Sequence, residues 1–142
     1  LFLFMTERCD MKKIIIQKDL NIPAEKIQTI NDFVQFCQDV LKIKKPYKLF
    51  IVADRDPVGI QTTAYYNPGN RNMAVMAKDR ALTDVCRSIA HEMTHMMQDD
   101  QGLITGPVQD IGGFHENQAN SAAGALIKLF AKKTPNGRRI YE

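Results

Sequence analysis

The sequence predicts an α+β domain in which a small, mainly antiparallel sheet packs against three helices. Three observations predict it. Apolar residues recur at helical spacing over residues 23–41, short β-like runs separated by turn residues fill 48–77, and helical periodicity returns after Ala77. A chain of 142 residues suits one domain with its own core, read here as residues 12–142 behind an N-terminal extension, 1–11.

The elements follow in order. Ile14-Ile15-Ile16 marks a strand within residues 12–17. Pro23 sits where a helix begins, and Ile27, Ile30, Phe33, Val34, Cys37, Val40 and Leu41 form one apolar stripe down to the break before Pro46. Residues 48–53, 62–66 and 73–77 read as strands. Residues 54–59 and Asn67-Pro68-Gly69-Asn70 are the turns between them, the second closing a hairpin. Leu82, Val85, Cys86, Ile89, Ala90, Met93, Met96 and Met97 share one side of a helix over residues 82–98, with both methionines read as core. A glycine-rich loop follows (Gly102, Gly106, Pro107, Gly112, Gly113). A third helix over 114–132 then turns Ala119, Ala123, Leu126, Ile127 and Phe130 inward, and residues 134–137 form a turn.

Composition narrows the function classes. The net charge of +3 is spread along the chain, a weaker basic footprint than a dedicated nucleic-acid binder shows. No apolar run approaches the roughly 20 residues that span a bilayer, and Leu1-Phe2-Leu3-Phe4 is too short for a signal-peptide core. The first residue is Leu, so the start of translation is expected at Met5, at Met11 or upstream. Cys9, Cys37 and Cys86 form neither a disulfide framework nor a cysteine metal site. The expectation is a soluble cytoplasmic protein without membrane partners, its oligomeric state open, with association to a virion as a variant.

The chemistry sits on the second helix, in His91-Glu92-Met93-Thr94-His95. Residues four apart on a helix stack one turn over the other, so both imidazoles can reach one metal ion, while Glu92 can face a water on that ion without binding it. Zinc suits such a set: it lowers the pKa of a water towards about 7, and the glutamate takes the proton as a carbonyl carbon is attacked. Shuffling the three histidines and the glutamates of this chain would produce the pattern in roughly two of a thousand sequences. With Leu82 at zero on the helical wheel, His91 and His95 fall near ~180° and ~220°, off the apolar stripe. A surface helix that merely carries two histidines is the bland alternative.

A third ligand must come from Asp110, His115 or Glu116, and Glu116 fits best. It stands 21 residues beyond His95, room for a loop and a returning helix. Ala119, Asn120, Ala123 and Gly124 on the same face are small enough for close helix approach, and Asn120, one turn on, can accept the free ring N–H of a liganding histidine. Otherwise Glu116 is simply an acidic residue favoured by the helix dipole. His115 points about 100° away and suits donation to an oxyanion rather than ligation.

His91-Glu92-Met93-Thr94-His95 followed by Glu116-Asn117-Gln118-Ala119-Asn120 resembles the gluzincin-type zinc metallopeptidases, in particular the small ImmA/IrrE-like endopeptidases of phages, mobile elements and bacteria. The resemblance covers about residues 48–130. It implies a minimal zincin-like domain with zinc held by His91, His95 and Glu116, Glu92 as general base and acid, and hydrolysis of peptide bonds. Two features depart from the family: the run from His91 to Gln98 lacks the usual glycine, and no stretch of these 142 residues reads as a DNA-binding or sensor domain.

For a protein or peptide substrate, the strand at residues 72–77 is expected to be an edge beside the cleft, open to pairing with an extended peptide. The loop at 99–113 is the other expected wall. Tyr65, Tyr66, His115, Arg138 and Tyr141 are the candidates for stabilising an oxyanion. A tail folded over the cleft, at 138–142, would make a latent form. Two other functions fit the same residues. One is a catalytically silent, zinc-stabilised protein-binding module. The other is a protease associated with nucleic acid through Lys132 and Arg138, which the modest charge disfavours.

Overall fold

The structure, a computed structural model, describes residues 3–4, 11–53, 63–103 and 113–142. Its elements are β1 (Leu3–Phe4), β2 (Lys12–Ile16), α1 (Ala24–Val40), β3 (Tyr47–Val52), β4 (Ala64–Asn67), β5 (Asn72–Met76), α2 (Leu82–Asp100), α3 (Phe114–Lys133) and a closing 3₁₀ helix, Gly137–Tyr141. Three helices and a mixed sheet make an arrangement compatible with α+β. The turn expected at 54–59, Asp110 and most of the loop at 99–113 lie outside the described residues.

The sheet runs in the order β1-β2-β3-β5-β4. It is mixed, which corrects the expectation of a mainly antiparallel sheet. β3 pairs parallel with β2 and with β5, and only the outer pairs β1–β2 and β4–β5 are antiparallel. The physical reason lies in the connections. Between β2 and β3 the chain runs through a whole helix, α1, the kind of crossover that returns it in parallel. β4 and β5 are joined by a hairpin turn in which the Asn67 Oδ1 accepts from the Gly69 N–H at 2.9 Å. The order also moves the expected edge at 72–77: β5 lies inside the sheet, and β4 is the outermost strand on that side among the described residues.

Alternation along the strands defines two faces. Ile14, Ile16, Tyr47, Leu49, Ile51, Met73, Val75, Ala64 and Tyr66 turn to one side and join Ile30, Phe33, Val34, Cys37 and the apolar residues of α2 and α3 in one core. Even the polar residues on that side are absorbed. Lys12 donates from Nζ to the Gln35 Oε1 (3.0 Å), and the Tyr47 hydroxyl donates to the buried Gln38 Oε1 (2.7 Å), which docks α1 on β2 and β3. Phe130 of α3 meets Phe33 and Phe36 of α1 edge-on at 5.2 and 5.5 Å. No helix among the described residues is long and apolar enough to cross a membrane.

Two acidic residues, Asp99 and Asp100, end α2, against the sign that a helix C-terminus favours. The β4–β5 hairpin supplies the compensation. Arg71 pairs with Asp100 and also donates to the Pro46 and Lys45 carbonyls at 2.9 and 3.2 Å, and the Tyr66 hydroxyl donates to the Asp99 Oδ2 at 2.6 Å.

The chain after α3 belongs to the core. Ile140 is fully buried, its carbonyl accepts from the Thr83 hydroxyl at 2.7 Å, and Asn136 enters the 3₁₀ helix with a left-handed φ of 63°. Gly137 is required by close approach: a Cβ there would stand 2.1 Å from the Phe130 carbonyl oxygen, a backbone atom that cannot rotate away. Gly137→Ala is therefore expected to cost about 1–3 kcal/mol, measured as a lower urea midpoint with unchanged slope.

Candidate metal centre

The face of α2 that the wheel leaves off the core stripe is buried as well. Glu92, Thr94, His95 and Gln98 are all buried, because α3 packs back along that side. Thr94 is accommodated there by donating its hydroxyl to the Ala90 carbonyl one turn back at 2.8 Å.

At the start of α3 the Glu116 carboxylate reaches both histidines. Its Oε1 lies 3.0 Å from the His91 Nε2, its Oε2 lies 3.1 Å from the His95 Nε2, and the two Nε2 atoms are 3.2 Å apart. The rings stand edge to face at 84°. The three ligand atoms thus converge on one point, and the group could hold a metal ion.

Gln98 fixes the tautomer of a neutral His95. Its Nε2 donates to the His115 carbonyl (3.0 Å) and to the Gln118 Oε1 (2.7 Å); a backbone carbonyl only accepts, so the amide orientation is determined. The Gln98 Oε1 then faces the His95 Nδ1 at 2.8 Å and must accept its proton. A neutral His95 therefore turns a bare Nε2 lone pair towards a carboxylate and a second imidazole. Acceptors crowded in this way repel unless a proton or a cation lies between them, and that chemistry fits a metal ion.

Asn120 hydrogen-bonds His91 and lies with it on the wall of a cleft of about 310 Å³ that also takes in Thr63, Ala64, Glu92 and Glu116. Burial, with Glu116 adding to it, pushes the Glu92 carboxyl up to about 8. Burial also lowers the His91 imidazole, against the opposing pull of Glu116.

The structure thus gathers His91, Glu92, His95, Glu116 and Asn120. The other expected contacts sit elsewhere. Tyr66 is committed to Asp99, with its hydroxyl pushed up mainly by burial and then by that bond. Tyr65 alternates to the opposite face of β4. His115 is half-buried outside the cleft wall, its Nδ1 without a hydrogen-bond partner among the described residues. Arg138 and Tyr141 lie on the 3₁₀ helix, which packs against α1, α2 and α3, and neither lines the cleft. Gln98 is the residue the sequence reading misses. Its signal was there: a polar side chain seven positions after His91 and three after His95 falls on the histidine side of the wheel.

Compared with known proteins, the chain matches no family model and no curated protein.

Two outcomes follow from the geometry. Replacing Gln98 by Leu should weaken metal binding about 10–100-fold in a competition titration, because the His95 tautomer and the start of α3 both lose their anchor. The second concerns pH. In the unfolded chain Glu92 has its ordinary value of 4.5, so folding binds a proton between there and about 8. That contribution to stability is complete below pH 4.5 and lost as pH rises through 8. The lowered His91 acts the other way, adding stability as pH rises towards 6.5, so the interval above 6.5 isolates Glu92. Chelator-treated protein should lose about 2 kcal/mol between roughly pH 6.5 and 8, and Glu92→Gln should flatten that slope in urea titrations.

Proposed function

We propose that this protein is a zinc-dependent endopeptidase of minimal zincin-like architecture that hydrolyses peptide bonds in a protein substrate. The observation that carries the reading is the convergence of two imidazole nitrogens and a carboxylate at 3.0–3.2 Å, beside a buried carboxyl in the same cleft. Corners of a tetrahedron around zinc, at about 2.0–2.1 Å from the ion, are about 3.3 Å apart, close to the separations seen here. Three protein ligands leave one corner for substrate or water, the arrangement of catalytic rather than structural zinc sites. The resemblance of the two motifs to gluzincin peptidases supports the same conclusion.

In this reading His91, His95 and Glu116 hold the ion, Gln98 keeps the His95 Nδ1 protonated, and Asn120 steadies His91. When bound, zinc would supply Lewis acidity to a peptide carbonyl and acidify a water. Glu92 accepts the proton of the attacking water at its carboxylate and returns it to the leaving nitrogen. Beside a cation its carboxyl ionises more readily than burial alone allows, which suits the basic role at neutral pH. Thr63 and Ala64, at the start of β4, line the same cleft as His91 and Glu116, so an extended segment lying in that cleft passes the three ligand side chains. Free, buried thiols at Cys37 and Cys86 support a cytoplasmic setting.

Purified protein should carry about one zinc per chain and cleave a pool of denatured proteins. Glu92→Gln should keep the metal and lose hydrolysis by about 10²–10⁴-fold. Full activity in that variant would overturn the mechanism, and zinc bound without turnover of any unfolded protein would leave a binding module instead.

A further inference from the structure

α2 and α3 face each other through two ladders of residues spaced by four. On α2 the ladder is Arg87, His91, His95; on α3 it is Glu116, Asn120, Gly124. Glu116 meets both histidines and Asn120 bonds His91. At the next rung the Arg87 Nη1 lies 3.7 Å from where a Cβ on Gly124 would stand, and the glycine puts no side chain over it.

Arg87 differs from Arg71 and Arg80. The Arg71 guanidinium is taken up by Asp100 and two carbonyls. That of Arg80 donates to the Met76 and Asp84 carbonyls and to the Ser88 Oγ. The Arg87 guanidinium makes no hydrogen bond or ion pair among the described residues. It is nevertheless part of the wall that carries His91, Glu92, Glu116 and Asn120, and it is the one Lys or Arg among the described residues of that wall. A guanidinium presents donors in a fork that fits a carboxylate with two parallel hydrogen bonds.

We infer that Arg87 forms a subsite for a carboxylate of the bound peptide, close to the scissile bond. One helical turn, about 5.4 Å, separates Arg87 from His91 along α2, and an extended peptide advances about 3.3 Å per residue. The carboxylate therefore belongs within about two residues of the bond that lies over the triad. It comes from an Asp or Glu side chain if cleavage is internal, or from a free C-terminus if the enzyme trims chain ends. The inference rests on the peptidase reading for the path of the peptide, but the contact itself is one of binding.

The test uses zinc-loaded Glu92→Gln protein as a trap for random decapeptides, synthesised as C-terminal acids and as C-terminal amides, with the retained peptides sequenced. Retained peptides should be enriched about tenfold in Asp or Glu at one position, or should be drawn from the acid pool alone. The first result assigns an acidic side chain and the second a chain terminus. In Arg87→Ala on the same background the preference should disappear, in Arg87→Lys it should survive in part, and in Arg87→Glu it should reverse towards Lys and Arg. Because Arg87 is exposed, these substitutions leave the core untouched. Equal retention of acidic and neutral peptides, a preference that survives Arg87→Ala, or no retention at all overturns the subsite. Wild-type cleavage without acidic preference removes the subsite and keeps the peptidase; acid-selective retention without wild-type cleavage does the reverse.

Discussion

The arrangement depends on the register in which α2 and α3 are held together. A buried glutamine does much of this. Gln98 has no exposed surface, and its amide meets His95 on its own helix and His115 and Gln118 on the next. An amide buried without partners costs a few kcal/mol, so any slip of α3 along α2 that breaks these bonds is penalised at once. The register that satisfies Gln98 is also the one that brings Glu116 to the two imidazoles. Packing and site geometry are therefore one constraint.

The sheet plays a quieter part. Its two parallel pairings put β5 in the interior and leave β4 outermost among the described strands, where it reaches the cleft. The hairpin that ends β4 is tied to the last turn of α2 through Tyr66 and Arg71, so the edge strand and the helix bearing the histidines are fixed at two places. The acidic end of α2, unfavourable for an isolated helix, becomes the anchor for that contact.

Much of this was legible in the residue pattern, and the limits have a physical origin. Helix bounds follow from local periodicity and from Pro23 and Gly113, and the observed α1, α2 and α3 depart from expectation by only a residue or two at their ends. Glu116 was legible because helix spacing and small neighbours act locally. Strand order was not: alternation says which face a residue takes but not which strand lies beside it, so the parallel core and the interior position of β5 were missed. The engagement of Tyr66 was hidden for a related reason. Its partner, Asp99, is 33 residues away, and nothing local announces that the hydroxyl is already engaged. Ile140 looked like part of a loose tail because a single apolar residue has no periodicity.

Glu116 stands in the first turn of α3, behind a Gly113 cap that offers no side-chain hydrogen bond. First turns fray far more readily than a whole domain unfolds. Loss of that single turn would withdraw one of three donors while the two imidazoles stayed on an intact α2. Exchange of an ion held there would then answer to a local opening, opposed by the few bonds Gln98 makes, and not to global stability. The same chain can be durable as a fold and labile as a chelator.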